Sequence, residues 1–286
     1  MRTEGRREST HVEDRRRVSP KAVGIGGGLL GLLVILAVTL LGGDPRQAAK
    51  VMEDLNVGQP QQQAGDVKFS PAEEEMARFV RIILAETEDV WKQLFAAQGF
   101  KYREPTLVLF TRQIPSACGF ASAATGPFYC PLDQKVYLDL SFFDQMKRRF
   151  NAPGDFAQAY VVAHEVGHHV QNLLGISDQV QAQRPRISPE AYNRLSVCLE
   201  LQADYLAGVW AHHAQRKWQV LEEGDIKEAI NAASAIGDDR LQRQAQGYVV
   251  PESFTHGTSE QRVRWFYKGL QSGDMMGGNT FEAREL

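Results

Sequence analysis

The chain has 286 residues, 23% of them charged and 43% hydrophobic, with a formal net charge of −3. This length allows one sizeable domain with appendages, or two small ones, and the composition is ordinary for a globular protein. The charge balance gives no electrostatic reason to expect a nucleic-acid partner, and three cysteines without a C-x-x-C pair argue against a cysteine zinc finger.

Residues 1–21 are polar and basic, with Arg2, Arg6, Arg7, Arg15, Arg16, Arg17 and Lys21 against Glu4, Glu8, Glu13 and Asp14. Such a stretch is expected to be a disordered tail, with His11 solvated and without a role. Residues 22–41 carry no charge. Twenty helical residues span about 30 Å, the thickness of the hydrocarbon core, which predicts a transmembrane helix. A cleaved signal peptide is the alternative, but its apolar core is typically about 7–15 residues long and ends in an A-x-A-like site, absent here. The excess of basic residues before the span puts the N-terminus in the cytoplasm and the remaining chain outside it, at the membrane. Residues 42–69, with Gly, Pro and the run Gln61-Gln62-Gln63, read as a flexible linker.

The folded domain is expected over 70–275, followed by a flexible tail at 276–286. Ser70-Pro71 followed by acids is a helix start, and apolar residues at helical spacing run on from Met76 to Phe95 before Gly99. Thr106–Phe110 and Lys135–Leu140 read as strands. The glycine-rich stretch 111–134 between them holds Cys118 and Cys130, 12 apart. In an oxidising compartment a disulfide would pin this loop; two free thiols or a cysteine metal ligand are the alternatives. Cys198 is left as an unpaired, inert thiol in an apolar helix. A short helix is expected over 142–150, with Pro153-Gly154 as a break after it.

His164-Glu165-Val166-Gly167-His168 is an H-E-x-x-H motif within an apolar helix. Histidines four apart share one helix face, so both imidazoles reach one metal ion, and neutral imidazole suits Zn2+. Glu165 is swung round from them, in the position of a general base for water rather than a ligand. Gly167 is expected to keep room near the metal. His169 points away and is expected at the surface or behind the ligands.

Catalytic zinc takes three protein ligands and leaves a position open. Gln171 and Leu174 stand where a metzincin needs Gly and His, so a carboxylate is the expected third ligand. Asp178 lies in a polar loop, and Glu190 in a first helical turn where the helix dipole explains it. Glu200 and Asp204 lie four apart in an apolar helix, where acids need partners. Glu200 is therefore assigned to the metal, and Asp204 to the far nitrogen of a ligand histidine. His212 and His213 look like a solvated helix end. Helices follow over 225–237 and 239–246. Thr258 caps a last helix, and His256 in the loop before it is placed to steady an oxyanion, or is a structural loop histidine.

Together His164-Glu165-Val166-Gly167-His168, Glu200-Leu-Gln-Ala-Asp204, Gly126-Pro127-Phe128-Tyr129-Cys130-Pro131, and His256 with Arg262 resemble the bacterial neutral zinc metallopeptidase family. The resemblance covers about 70–275 and the anchor. More distantly the chain is similar to gluzincins of the heat-shock membrane protease and CAAX-prenyl-protease type, although Gly257 stands where those have a proline. The resemblance implies an α+β, mostly helical zincin-like metalloprotease domain with a small sheet, bound Zn2+ and a protein or peptide substrate. It also implies that a strand ahead of the metal helix binds substrate backbone. A zinc amidase acting on cell-wall peptides and an inactive, zinc-stabilised interaction domain are the competing functions.

Overall fold

The computed structural model describes residues 1–17, 68–122 and 126–286. Residues 22–41 and most of the expected linker lie outside these. Among the described residues no helix is long and apolar enough to cross a membrane.

The chain begins with a strand, β1 (Val12–Asp14), and not with a disordered tail. Helix α1 (Pro71–Ala97) starts where the serine–proline signal puts it. Ser70 and Glu73 form a reciprocal capping box, which satisfies amide groups that the first turn leaves free. Strands β2 (Thr106–Phe110) and β6 (Lys135–Asp139) are parallel neighbours. The stretch between them is more regular than expected. It holds a hairpin, β3 (Gln113–Ser116) and β4 (Gly119–Ser122), and then β5 (Phe128–Cys130), which is antiparallel to β6. The disulfide Cys118–Cys130 ties the hairpin turn to β5. The main sheet has the order β1-β2-β6-β5.

Five longer or shorter helices build the rest around two that matter most. After α2 (Ser141–Arg149) comes α3 (Asp155–Leu173), which carries the H-E-x-x-H motif. It is apolar on most sides, and Phe156, Tyr160, Val166 and Val170 are fully buried. After α4 (Ile176–Gln181), α5 (Pro189–Trp218) runs beside α3. Helices α6 (Asp225–Ala235), α7 (Asp238–Gln246) and α8 (Ser259–Ser272) close the core, α8 lying along α5. A Cβ on Gly269 of α8 would sit 1.9 Å from the Tyr205 carbonyl oxygen, so those two backbones touch.

Residues 276–286 also differ from the expected loose tail. Gln202 donates to the Gly278 carbonyl at 2.9 Å, and Thr280 to the Cys198 carbonyl at 2.6 Å.

Residues 1–15 and 69–286 form one compact unit. β1 pairs in parallel with β2, Val12 facing Leu107. The arginines read as a basic tail spend their charge on this docking. Arg7 reaches Glu88 at 3.0 Å and Asp89 at 2.8 Å, Arg6 reaches Glu86 at 2.9 Å and stacks on Trp218, and His11 meets Glu88 at 2.9 Å instead of being idle. The Met1 ammonium lies among Asp155, Glu222 and Asp225. A membrane crossing between this arm and the domain would part β1 from β2.

Glu86 is the weak point of the arm's contact. It is buried, yet Arg6 is close without the alignment of a hydrogen bond. Burial pushes its pKa up to about 7, against the opposing pull of Arg6. An acid with a raised folded-state pKa stabilises fully below its unfolded value, and that stability is lost as pH rises through the folded one. Glu86→Gln should therefore raise the melting temperature increasingly between pH 5 and pH 8, removing a penalty of up to about 3 kcal/mol. Equal gains at both ends in thermal melts would show that Glu86 does not titrate in this range.

Candidate metal centre

Helices α3 and α5 meet at Gly167. A Cβ there would lie 2.9 Å from the Ala203 carbonyl oxygen and 3.2 Å from Ala203 Cα. The space expected beside the metal is thus filled by the α5 backbone. This contact brings Glu200 against the two histidines of α3. His164 Nε2 is 3.2 Å from Glu200 Oε2, and His168 Nε2 is 3.4 Å from Glu200 Oε1. Among the described residues these three side chains form a group whose ligand atoms lie within 4.8 Å of one another. Ligands about 2.0–2.1 Å from a tetrahedral zinc stand roughly 3.3 Å apart. The two histidine–carboxylate separations, each to its own Glu200 oxygen, are close to that edge, and two imidazoles with one carboxylate are a zinc donor set, so the residues present fit Zn2+.

The far side of each imidazole is held as well. His164 Nδ1 lies 2.9 Å from Asp204 Oδ1, and His168 Nδ1 lies 2.9 Å from Gln171 Oε1. Each Nδ1–H then donates to an oxygen, and each Nε2 keeps its lone pair for the metal. Gln171 is fixed in turn, donating to the Leu199 carbonyl at 2.7 Å and to Gln202 at 3.0 Å.

Asp204 is fully buried and shared among three partners. Besides His164 it accepts from the Tyr160 hydroxyl, and from Arg262 Nε at 2.8 Å and Nη2 at 3.0 Å. Burial alone would favour its neutral form, but the Arg262 guanidinium and His164 hold its carboxyl below the usual range. Glu200 is likewise held well below it, burial being outweighed by His168 and His164. Burial pushes His164 down, yet Asp204 and Glu200 outweigh it and bring its pKa up to about 10. The pocket thus favours a positive charge between its carboxylates, which a bound Zn2+ supplies while the imidazole stays neutral.

Glu165 follows His164 and is buried at 8% exposure. His256 lies in the loop before α8, its side chain half exposed, with Nδ1 at 3.2 Å from Asp238 Oδ1. That loop rests on α5: a Cβ on Gly257 would meet Val197 and Leu201, either side of Glu200, at 3.2 and 3.3 Å.

Other histidines fall differently from expectation. His169 is neither exposed nor behind a ligand. It is buried between Tyr102 and Tyr129. Burial pushes its pKa down to about 4, so Nε2–H donates to the Arg103 carbonyl at 2.6 Å and Nδ1 accepts from Tyr129 at 3.0 Å. With Asn172, which donates to the Tyr129 hydroxyl, it fastens β5 to the metal helix. His212 and His213 are not merely solvated. They bond the Leu270 and Gly273 carbonyls at 2.8 Å each and join the ends of α5 and α8. Tyr160 and Gln171 escaped sequence reasoning, although each lies on the ligand face, at i−4 from His164 and i+3 from His168.

Two histidines a turn apart, an acid between them and a glutamate from a second helix define a zinc-peptidase type of centre. The chain belongs to the putative neutral zinc metallopeptidase family, whose profile matches residues 1–281. Zinc is the cofactor that this membership implies. The chain is 51% identical to the uncharacterized protein YpfJ of Escherichia coli (strain K12), over 98% of this chain and 99% of that one. It is 41% identical to the uncharacterized protein Rv2575 of Mycobacterium tuberculosis (strain ATCC 25618 / H37Rv), over 73% of each. No solved structure matches it significantly.

Two variants separate ligand from support. Glu200→Ala should abolish stoichiometric zinc binding in a metal titration. Arg262→Met should leave Asp204 as a buried unpaired charge, cost about 3–5 kcal/mol of stability and weaken zinc binding. Unaltered melting and zinc affinity in Arg262→Met would remove Arg262 from the site.

Proposed function

We propose that the protein hydrolyses peptide bonds of protein or peptide substrates, with water as nucleophile and Glu165 as general base. The observation that carries this reading is that the two ligand histidines lie 3.2 and 3.4 Å from the Glu200 carboxylate, with one ligand atom of each of the three residues within 4.8 Å of the others, beside a buried glutamate that is not one of them. A site closed for structure alone takes a fourth protein ligand, and the cluster among the described residues has three members. An interaction domain also leaves Glu165 without a task.

His164, His168 and Glu200 hold the metal. Zinc bound there supplies Lewis acidity, polarising a carbonyl and making water a nucleophile near neutral pH. The Glu165 carboxylate takes the proton of the attacking water and hands it to the leaving nitrogen. Asp204 and Gln171 keep the two imidazoles in the tautomer that binds. As an imidazolium, His256 is the donor proposed for the developing oxyanion, through Nε2–H.

The Cys118–Cys130 disulfide supports an oxidising compartment for the domain, with the docked arm on the same side. Attachment to a membrane rests on the hydropathy of 22–41 alone.

Glu165→Gln should retain full zinc occupancy and lose nearly all single-turnover cleavage of a peptide library. Undiminished cleavage in that variant would overturn the mechanism.

A further inference from the structure

Asp238, the first residue of α7, is almost fully buried and receives the loop that carries His256. Its Oδ2 accepts three successive backbone amides: Thr255 at 2.7 Å, His256 at 2.6 Å and Gly257 at 3.1 Å. Its Oδ1 faces His256 Nδ1 at 3.2 Å. One carboxylate therefore fixes both the backbone and the ring of the same residue. Asp239 extends the grip, accepting from the Ser259 amide and hydroxyl at 2.8 and 2.9 Å. No sequence motif marks this pair, and the mechanism above leaves Asp238 without a function.

A carboxylate cannot donate, so the proton on this contact belongs to Nδ1, which then also faces the Thr255 hydroxyl oxygen at 3.0 Å as a second acceptor. The imidazole then turns its Nε2 edge away from Asp238. The flanking Gly257 is pressed on α5 within one turn of Glu200, and the hydrogen bond to Asp238, followed by the charge of the Glu200 carboxylate, favours the His256 cation against burial and Arg262.

We propose that Asp238 is a positioning residue for the hydrolytic reaction, holding His256 by Nδ1–H so that the other nitrogen faces the substrate at the metal centre and, in the imidazolium, donates Nε2–H to it. This rests on the peptidase reading above and assigns Asp238 to the same site. The alternative is a purely structural role, in which Asp238 tethers the loop and the ring is incidental.

The test uses the zinc-loaded full chain. Asp238→Asn keeps an oxygen for the backbone amides but puts an amide group where Nδ1–H points. It should lower kcat roughly 10–100-fold, as changes to groups that orient a site residue do, with KM, zinc content and melting temperature nearly unchanged. In a His256→Phe background the same substitution should have no further effect on kcat. Nitrogen-15 NMR of His256 at alkaline pH reads the ring without any activity: the parent should show the Nδ1–H tautomer, and Asp238→Asn should shift it to Nε2–H. An Nε2–H tautomer in the parent, or an equal loss of kcat with and without the His256 ring, overturns the proposal. If Asp238→Asn fails to fold, the tautomer of the parent still decides. A correct tautomer in a protein with no peptidase turnover would instead count against the proposed function.

Discussion

Asp204 places one carboxylate, buried beyond contact with water, against an imidazole, a phenol and a guanidinium. A lone carboxylate in such a place is costly, and breaking a buried pair typically costs about 3–5 kcal/mol. The cost is offset because His164 and Tyr160 come from α3, Arg262 comes from α8, and all three donate to it. The interaction therefore cross-links three helices, and it is also what orients a metal ligand. Stability and metal chemistry are in this sense one arrangement: removing Arg262 loosens the core and misdirects His164 together.

Helix packing explains why the arrangement closes. At Gly167 and again at Gly269 a neighbouring backbone occupies the place of a side chain. These contacts let α5 run against α3 on one side and α8 on the other. Glu200 and Asp204, a turn apart on α5, then address the near and far nitrogens of the same imidazole. A larger residue at 167 would move α5 outward and part Glu200 from both histidines.

Much of this was legible from spacing. H-E-x-x-H and E-x-x-x-D are local patterns, and a helix turns each into a face. The helix starts at Ser70 and Thr258 follow from local capping chemistry, and both form. What spacing could not show depends on contacts between distant parts of the chain. Arg262 meets Asp204 across 58 residues, and Asp238 meets His256 across 18. His169 reads as an outward residue on the metal helix until β5 covers it with Tyr129. The first fifteen residues are the clearest case. By composition they form a solvated basic tail, because the buried acids Glu86 and Glu88 that receive their arginines sit about eighty positions away, inside a helix whose pattern is otherwise apolar.

The central claim is that two helices supply Zn2+ with two imidazole nitrogens and one carboxylate and leave a position open. X-ray absorption spectroscopy of the zinc-loaded protein tests it most directly. The account predicts a shell of nitrogen and oxygen at about 2.0–2.1 Å with two imidazoles and no sulfur. A sulfur shell near 2.3 Å, or a third imidazole, would contradict it.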